Sequence, residues 1–295
     1  MPKPSLSIEH QARDITVLHD LFVSRVMTLG HIAALHFHGR AEAAKKRVQK
    51  LKAAGLIAER PRKARDASVL YLTQSGFDLL TEHGELSDLP RLSRQSFEKR
   101  AHVSDLTLRH ELAVMDVKAA LAPAIDKMPG MKVVEFTTWP KLCEFDARPP
   151  GHSAVRVKPD GRIRVEDRTD DPAVYEHTFF LEVDRGTETL DTLARRALCY
   201  RDHYASGGFA ISRGGRREDF GEYPFRVLVV LPSAERRNNL AERLLSLNPP
   251  ILTQVCLTTM AEIIRDPLGS IWLRPLDHRD ESRCQPIQYR SLFAD

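Results

Sequence analysis

Long apolar runs are absent from this 295-residue chain. None approaches the roughly 20 residues that a helix needs to cross a membrane, and the amino-terminal MPKPSLSIEHQ has no apolar signal core. No membrane partner is therefore expected, and a cytoplasmic location is. Cysteine is scarce: Cys143, Cys199, Cys256 and Cys284 stand apart with no CxxC pair. That argues against a zinc module or a disulfide frame and for reduced packing thiols. No GxxxxGK[ST] loop is present, which excludes a nucleotide-driven motor of that type. No histidine pair or tyrosine motif suits strand nicking either, since Tyr200 and Tyr204 fall on the packed side of a helix and read as structural. Acid, finally, is nearly missing between Arg40 and Arg65, where only Glu42 and Glu59 oppose ten basic residues.

That last deficit is the first positive signal. Net charge is only +4, yet these 26 residues carry +8 and the remainder −4. A local basic patch on a near-neutral chain points to a polyanion partner at one site. Apolar residues make up 42% of the sequence and are spread throughout, so two packed domains are expected rather than disorder.

The basic stretch lies in a segment with helical periodicity. Ile15, Leu18, Leu21, Phe22 and Val26 predict a first amphipathic helix, and Thr28 caps a second, TLGHIAALHF. A third, RAEAAKKRVQKLKAAG, turns Ala44, Val48 and Leu51 inward and stops at Gly55. LIAER and VLYLT read as a hairpin with RKARDAS at its tip, followed by a short helix, FDLLTEH. Three helices and a hairpin is the order of a winged helix-turn-helix, assigned to residues 13–84. Lys45, Lys46, Gln49 and Lys50 lie away from the apolar seam of the third helix, with Arg40 at its start. Arg62, Lys63 and Arg65 at the hairpin tip can reach flanking phosphates. Gln49 is the candidate for a base-edge contact, because its amide can pair bidentately with adenine. His31, His36 and His38 do not share one helical face and read as polar helix residues rather than a metal site.

Residues 85–100, polar and proline-containing, are expected to be a linker, and residues 101–276 a second domain. A long helix to about Lys127 precedes an alternating strand, KVVEFTTWP. Residues 141–152 are expected to be a loop, then SAVRV leads into the KPDG turn and the strand RIRVED. After a polar loop, TFFLEV is a buried strand, followed by a helix to about Tyr204. Residues 213–222 read as a flexible, glycine-rich loop. FRVLVVLPS, a helix, LTQVCLT and MAEIIR complete a mixed sheet flanked by helices, SIWLRP is expected as an edge strand, and residues 277–295 as a loose polar tail. The fold class is α+β, bordering on α/β: a winged helix followed by a mixed-sheet, restriction-endonuclease-like domain.

Within that domain, Asp160 and Glu182 emerge at strand ends, and Asp184 shares the face of Glu182 through the two-residue period. Phosphodiester hydrolysis uses a divalent ion to polarise phosphate and activate water, and magnesium takes two or three carboxylates while keeping several waters. Asp160 and Glu182, with Glu111 or Glu135 as a third, are the candidate ligands for Mg2+ or Mn2+. A PD-(D/E)xK signature would read Pro159-Asp160 and Glu182-Val183-Asp184, with Asp184 where the lysine normally stands. Arg195 or Arg196 on the following helix could reach inward as a substitute. The catalytic candidates are Asp160, Glu182, Asp184 and Arg196; if the site is inactive, no cofactor is expected.

The runs LKAAGLI, YLTQSG, LRHELAVMDV, KPDG, FFLEVDRGTE and CYRDHY, in this order over about residues 13–232, resemble the replication-relaxation family of plasmid and integrative-conjugative-element proteins. The resemblance implies a DNA-associated role in replication, relaxation or mobilisation, with double-stranded DNA as partner. It leaves room for other replication or mobilisation proteins and a second copy of the chain. It also implies a lysine on the helix after EVDRGTE; Arg196 stands there, and arginine is a poor general base. The favoured reading is a DNA-binding accessory or regulatory protein with a nuclease-like domain, whether active or degenerate. The alternatives are an active Mg2+-dependent endonuclease or nickase and a winged-helix transcriptional regulator.

Overall fold

Helical periodicity near the amino terminus and two-residue alternation later in the chain produce two separate units. In the computed structural model these are residues 1–119 and residues 120–295. It describes residues 11–61, 67–101, 104–149, 151, 153–170, 172–278 and 287–293. The division falls inside a long helix, whereas the polar composition of residues 85–100 suggests it there.

In the first unit, helix α1 (Ala12–Ser24) buries Val17, Leu18, Leu21 and Phe22. A two-residue strand β1 (Met27–Thr28) leads into α2 (Leu29–His36), whose start is capped by the Thr28 hydroxyl accepting from the His31 amide at 3.2 Å. Helix α3 (Ala41–Ala53) buries Ala44, Val48 and Leu51 and ends before Gly55, at φ +72°. Strands β2 (Ile57–Glu59) and β3 (Val69–Leu72) pair antiparallel, and β1 adds on the other side of β3. Three helices and a hairpin follow one another in the expected order; β1 is a third strand that its two-residue length hides from sequence periodicity.

Helix α4 (Gln74–Glu82) starts earlier than FDLLTEH because the Thr73 hydroxyl caps the Gly76 amide. Helix α5 (Arg94–Ala101) occupies part of the expected linker. Its Phe97 stacks on Phe77 of α4, with ring centroids 4.7 Å apart, so this segment docks on the first unit rather than joining two domains as free chain. Helix α6 (Asp105–Ile125) is tied to α1, α2 and the turn after α1 by polar contacts. Glu111 meets Arg25 at 2.8 Å, Asp116 meets His31 at 2.8 Å and Lys118 meets Asp20 at 3.1 Å. His36 lies 2.9 Å from Asp20. Burial alone would raise the Asp20 carboxyl, but Lys118 and His36 hold it well below the usual carboxylate range.

The second unit is built on a five-stranded sheet. Strands β4 (Met131–Thr137), β5 (Phe145–Ala147), β6 (Val155–Val157), β7 (Gly161–Asp167) and β8 (Tyr175–Val183) precede helix α7 (Leu190–Ala205). Helix α8 (Gly208–Ser212), β9 (Arg226–Leu231), α9 (Ala234–Leu245), β10 (Val255–Thr259), α10 (Met260–Arg265) and α11 (Pro275–His278) follow. The order across the sheet is β10-β9-β8-β7-β4. β4, β7 and β8 run antiparallel, and β8, β9 and β10 parallel, which is the expected mixed sheet. On one face Phe180, Val227 and Val229 pack with Leu193 and Ala197 of α7 and Leu240 and Leu244 of α9.

Four local expectations change. The charged 141–152 segment is not all loop: a 3-10 turn, Pro140–Leu142, precedes β5, which pairs with β6 in a separate two-stranded sheet. Residues 217–222 form a 3-10 helix, with Arg213 held by Glu176 at 2.9 Å and Arg216 by Asp219 at 2.9 Å, so this stretch is pinned by its own ion pairs. SIWLRP makes bridges rather than a strand: Leu273 exchanges both backbone hydrogen bonds with Leu257 of β10, and Trp272 pairs with Arg290. The described parts of the tail, residues 277–278 at the end of α11 and residues 287–293, are docked, with His278 and Leu292 buried and Arg290 on Asp277 at 3.1 Å.

Candidate functional site

The register of β7 against β8 assembles the acidic pair. Gly161 is opposite Leu181, so one step back sets Asp160 opposite Glu182 on the same face of the sheet. The Asp160 amide donates to the Leu181 carbonyl at 3.0 Å, and its Oδ2 accepts from the Val183 amide at 2.7 Å. Asp160 therefore stands at the start of β7, with a side chain that replaces a ladder acceptor. It does not close the strand before it, because β6 ends at Val157 in the other sheet.

Glu182 is 3% exposed, and both its oxygens are engaged from helix α7. Arg196 Nη1 donates to Oε2 at 2.8 Å, and the hydroxyl of Tyr200, 0% exposed, donates to Oε1 at 2.5 Å. The other arm of Arg196 reaches Glu188 Oε1 at 2.9 Å. Burial pushes the Glu182 carboxyl above the usual range; Arg196 opposes this, and the charge on Asp160 adds to it. Burial and the neighbouring Glu182 also push the Tyr200 phenol well up. The helical period explains the pair: residues 196 and 200 are four apart on one face of α7. Arg195, one position earlier, is exposed.

Asp184 shares the face of Glu182, as the period requires, but not its neighbours. It is buried, paired with Arg236 of α9, and its Oδ1 accepts from the Gly186 amide at 2.9 Å. The residue in the lysine position is thus a strut between the end of β8 and the first turn of α9. Glu111, expected as a metal ligand, belongs to the first unit and serves Arg25 there. Glu135 is bound by Arg162 at 2.7 Å and Arg164 at 3.2 Å.

These surroundings do not fit a divalent ion. Magnesium binds carboxylate oxygens and keeps several waters, whereas Glu182 already serves two internal donors. The space beside it is lined by Leu193, Ala197, Val227, Val229, Leu240 and Val255. Among the described residues, no group of three or more His, Cys, Asp or Glu side chains is arranged to hold a metal. The three histidines expected on a helix do not form a cluster: His31 and His36 of α2 contact carboxylates, and His38 lies exposed in the turn after α2.

On helix α3, Lys45, Lys46, Gln49 and Lys50 are exposed opposite the buried Ala44–Val48–Leu51 stripe. Arg40 is exposed at the helix start, its Nε donating to the Phe37 carbonyl at 3.3 Å. Three cations of the basic stretch have carboxylate partners: Lys52 has Glu59 at 2.6 Å, Arg47 has Asp14 of α1, and Arg60 has Asp105 at 3.8 Å. Arg62, Lys63 and Arg65 lie outside the described residues. Sequence reasoning missed Tyr200, Arg236 and Glu188 as members of the acidic network; the four-residue spacing of Arg196 and Tyr200 was the available signal for the first.

Among the described residues no helix is long and apolar enough to cross a membrane. The model of a family described as Replication-relaxation matches residues 18–216, more than half of the chain. The comparison with curated proteins finds no match. Among solved structures, the restriction endonuclease FokI is similar at 13% identity and a TM-score of 0.29, over 86% of this chain and 43% of the length of that one.

Proposed function

The chain belongs to the replication-relaxation family, and on that premise we propose that it is a DNA-binding accessory or regulatory protein of a plasmid or integrative conjugative element. Its task is in replication, relaxation or mobilisation, and its partner is double-stranded DNA bound by the first unit. The observation that carries this reading is the exposed row Lys45, Lys46, Gln49 and Lys50 on a helix whose opposite stripe is buried. A helix so divided can enter a major groove without disturbing its own packing. The lysines supply phosphate attraction, and Gln49 is suited to an adenine edge. Arg40 adds a cation at the helix start, and Arg62, Lys63 and Arg65 would extend the basic surface to flanking phosphates. Other replication or mobilisation proteins and a second copy of the chain are further partners of this role.

The test is fluorescence anisotropy on a short duplex at several salt concentrations. Each phosphate contact contributes about 0.9 to the slope of log affinity against log salt. The Lys45→Ala/Lys46→Ala/Lys50→Ala variant should weaken binding and flatten that slope by about 2–3. Equal affinity and slope in wild type and variant would remove α3 as the DNA face. Supercoiled plasmid incubated with the wild-type chain in Mg2+ or Mn2+ should stay intact; nicking lost in Asp160→Ala/Glu182→Ala would establish the endonuclease reading instead.

A further inference from the structure

The mismatch between the acidic pair and a divalent ion has a specific cause. We propose that Arg196 is the resident cation of the Asp160–Glu182 site: its guanidinium holds the position at Glu182 that a metal ion would need, so the site neutralises itself and is closed to divalent ions. This goes beyond the DNA-binding reading and does not depend on it.

Four observations converge. Both oxygens of Glu182 are engaged, with Arg196 Nη1 at 2.8 Å on one and the Tyr200 hydroxyl at 2.5 Å on the other, so a metal approaching either oxygen meets a donor already in place. Arg196 is itself clamped, because its second arm sits on Glu188 at 2.9 Å; swinging the guanidinium out would break two charge-assisted hydrogen bonds together. The cavity behind Glu182 offers little hydration: it holds about 10 Å³ between apolar side chains of α7, α9, β9 and β10, room for at most about one water. A magnesium ion that must keep several waters cannot be accommodated there. An arginine needs none, stays charged at every working pH and bonds a carboxylate in a fixed fork. The second acid is committed as well, Asp160 Oδ2 accepting from the Val183 amide at 2.7 Å. The pair that in a nuclease would present its oxygens to an ion instead fastens α7 to β8 and β8 to β7.

The experiment is a Mn2+ titration of the full chain, with free Mn2+ read by electron paramagnetic resonance and thermal midpoints read with and without the ion. Wild type should show no saturable Mn2+ site that depends on Glu182, and no midpoint shift with Mn2+ or a chelator. Arg196→Met should gain one Mn2+ site at least tenfold tighter than any binding by wild type, and Arg196→Met/Glu182→Gln should lose it. Two results overturn the proposal: one Mn2+ bound by wild type and lost in Glu182→Gln, or a folded Arg196→Met chain that binds no better than wild type. If circular dichroism finds Arg196→Met unfolded, the wild-type arm decides, since a Mn2+-induced midpoint shift that Asp160→Asn abolishes overturns the proposal and its absence supports it.

Discussion

Arg47 lies in the middle of the basic stretch, yet it should behave as a stability residue rather than a DNA contact. Its partner Asp14 is 0% exposed. Arg47 Nε meets Asp14 Oδ1 at 2.5 Å, and Nη2 bonds Oδ2, which also accepts from the Gln11 amide at 2.8 Å. Replacing Arg47 with methionine keeps much of the aliphatic packing but leaves a carboxylate buried without its cation. Breaking one side of a buried pair costs about 3–5 kcal/mol, a large share of the roughly 5–15 kcal/mol that holds a domain folded. Urea unfolding of the full chain, followed by circular dichroism, should show the first-unit transition moved to lower denaturant by that amount. In Asp14→Asn/Arg47→Met the buried charge is gone, and at least half of the loss should return. A loss below about 1 kcal/mol in the single variant, the value of an exposed pair, or a double variant no better than the single, would refute the reasoning. The salt dependence of DNA binding gives a second check: Arg47→Met, assayed at a temperature where it is folded, should keep the wild-type slope that the lysine triple variant loses.

Burial holds the His203 imidazole at a pKa of about 4, neutral and stacked on Phe145 with centroids 3.9 Å apart. A folded pKa below the unfolded value of about 6.5 means that the unfolded chain binds the proton first, so this contribution is present above pH 6.5 and lost as pH falls toward 4. Thermal midpoints of the second unit should drop across that window, less so in His203→Gln; parallel profiles would contradict the assignment. Gly76→Ala should destabilise the first unit by about 1–3 kcal/mol, because an added Cβ would lie 2.3 Å from the Leu56 carbonyl oxygen and 2.5 Å from Leu72 Cδ1; a neutral midpoint would be inconsistent with that packing. Glu262→Ala should cost about 3–5 kcal/mol in a denaturant series, since it strips the buried Arg237 of a carboxylate with both oxygens at 2.9 Å and removes the cap on the Thr259 amide at 3.0 Å. A loss no larger than that of an exposed pair would show Arg237 to be otherwise satisfied.

Features governed by local periodicity were readable in advance. The buried stripe of α3, the continuous apolar run of β8 and the same-face relation of Glu182 and Asp184 all follow from repeats of 3.6 or two residues. The opposition of Asp160 and Glu182 was half readable: adjacent strands were expected, but the register that sets residue 160 against 182 depends on the whole β7–β8 pairing. What escaped was long-range. Asp184 and Arg236 are 52 positions apart and meet only because α9 returns over the sheet, so a motif comparison could see a missing lysine but not the strut in its place. Glu111 was proposed as a ligand from its charge and its place on a helix; the facing Arg25, 86 positions away, defines its role. The polar composition of residues 85–100 concealed α5, which is held by one aromatic, Phe97, stacked on Phe77 and Phe22, and by the polar anchors Arg94 on Asp78 and Arg100 on the Val23 carbonyl, rather than by an apolar stripe.

The bridges at Leu273 decide whether another chain can extend the sheet. β10 ends one side of the five-stranded sheet, and an uncovered terminal strand is a template for pairing with another chain. Leu273 takes both backbone hydrogen bonds of Leu257 in the middle of that strand, and Arg290 in turn takes those of Trp272. At the opposite margin, β4 carries an irregularity that leaves Val134 out of register between Val133 and Glu135, so no long flat ladder is offered there. The segment after α10 is therefore a selvedge, a finished border that keeps the sheet from being extended by its neighbours. Cutting the chain after Ser270 should bare the Leu257 backbone groups and promote edge-to-edge self-association, read by light scattering against the full chain.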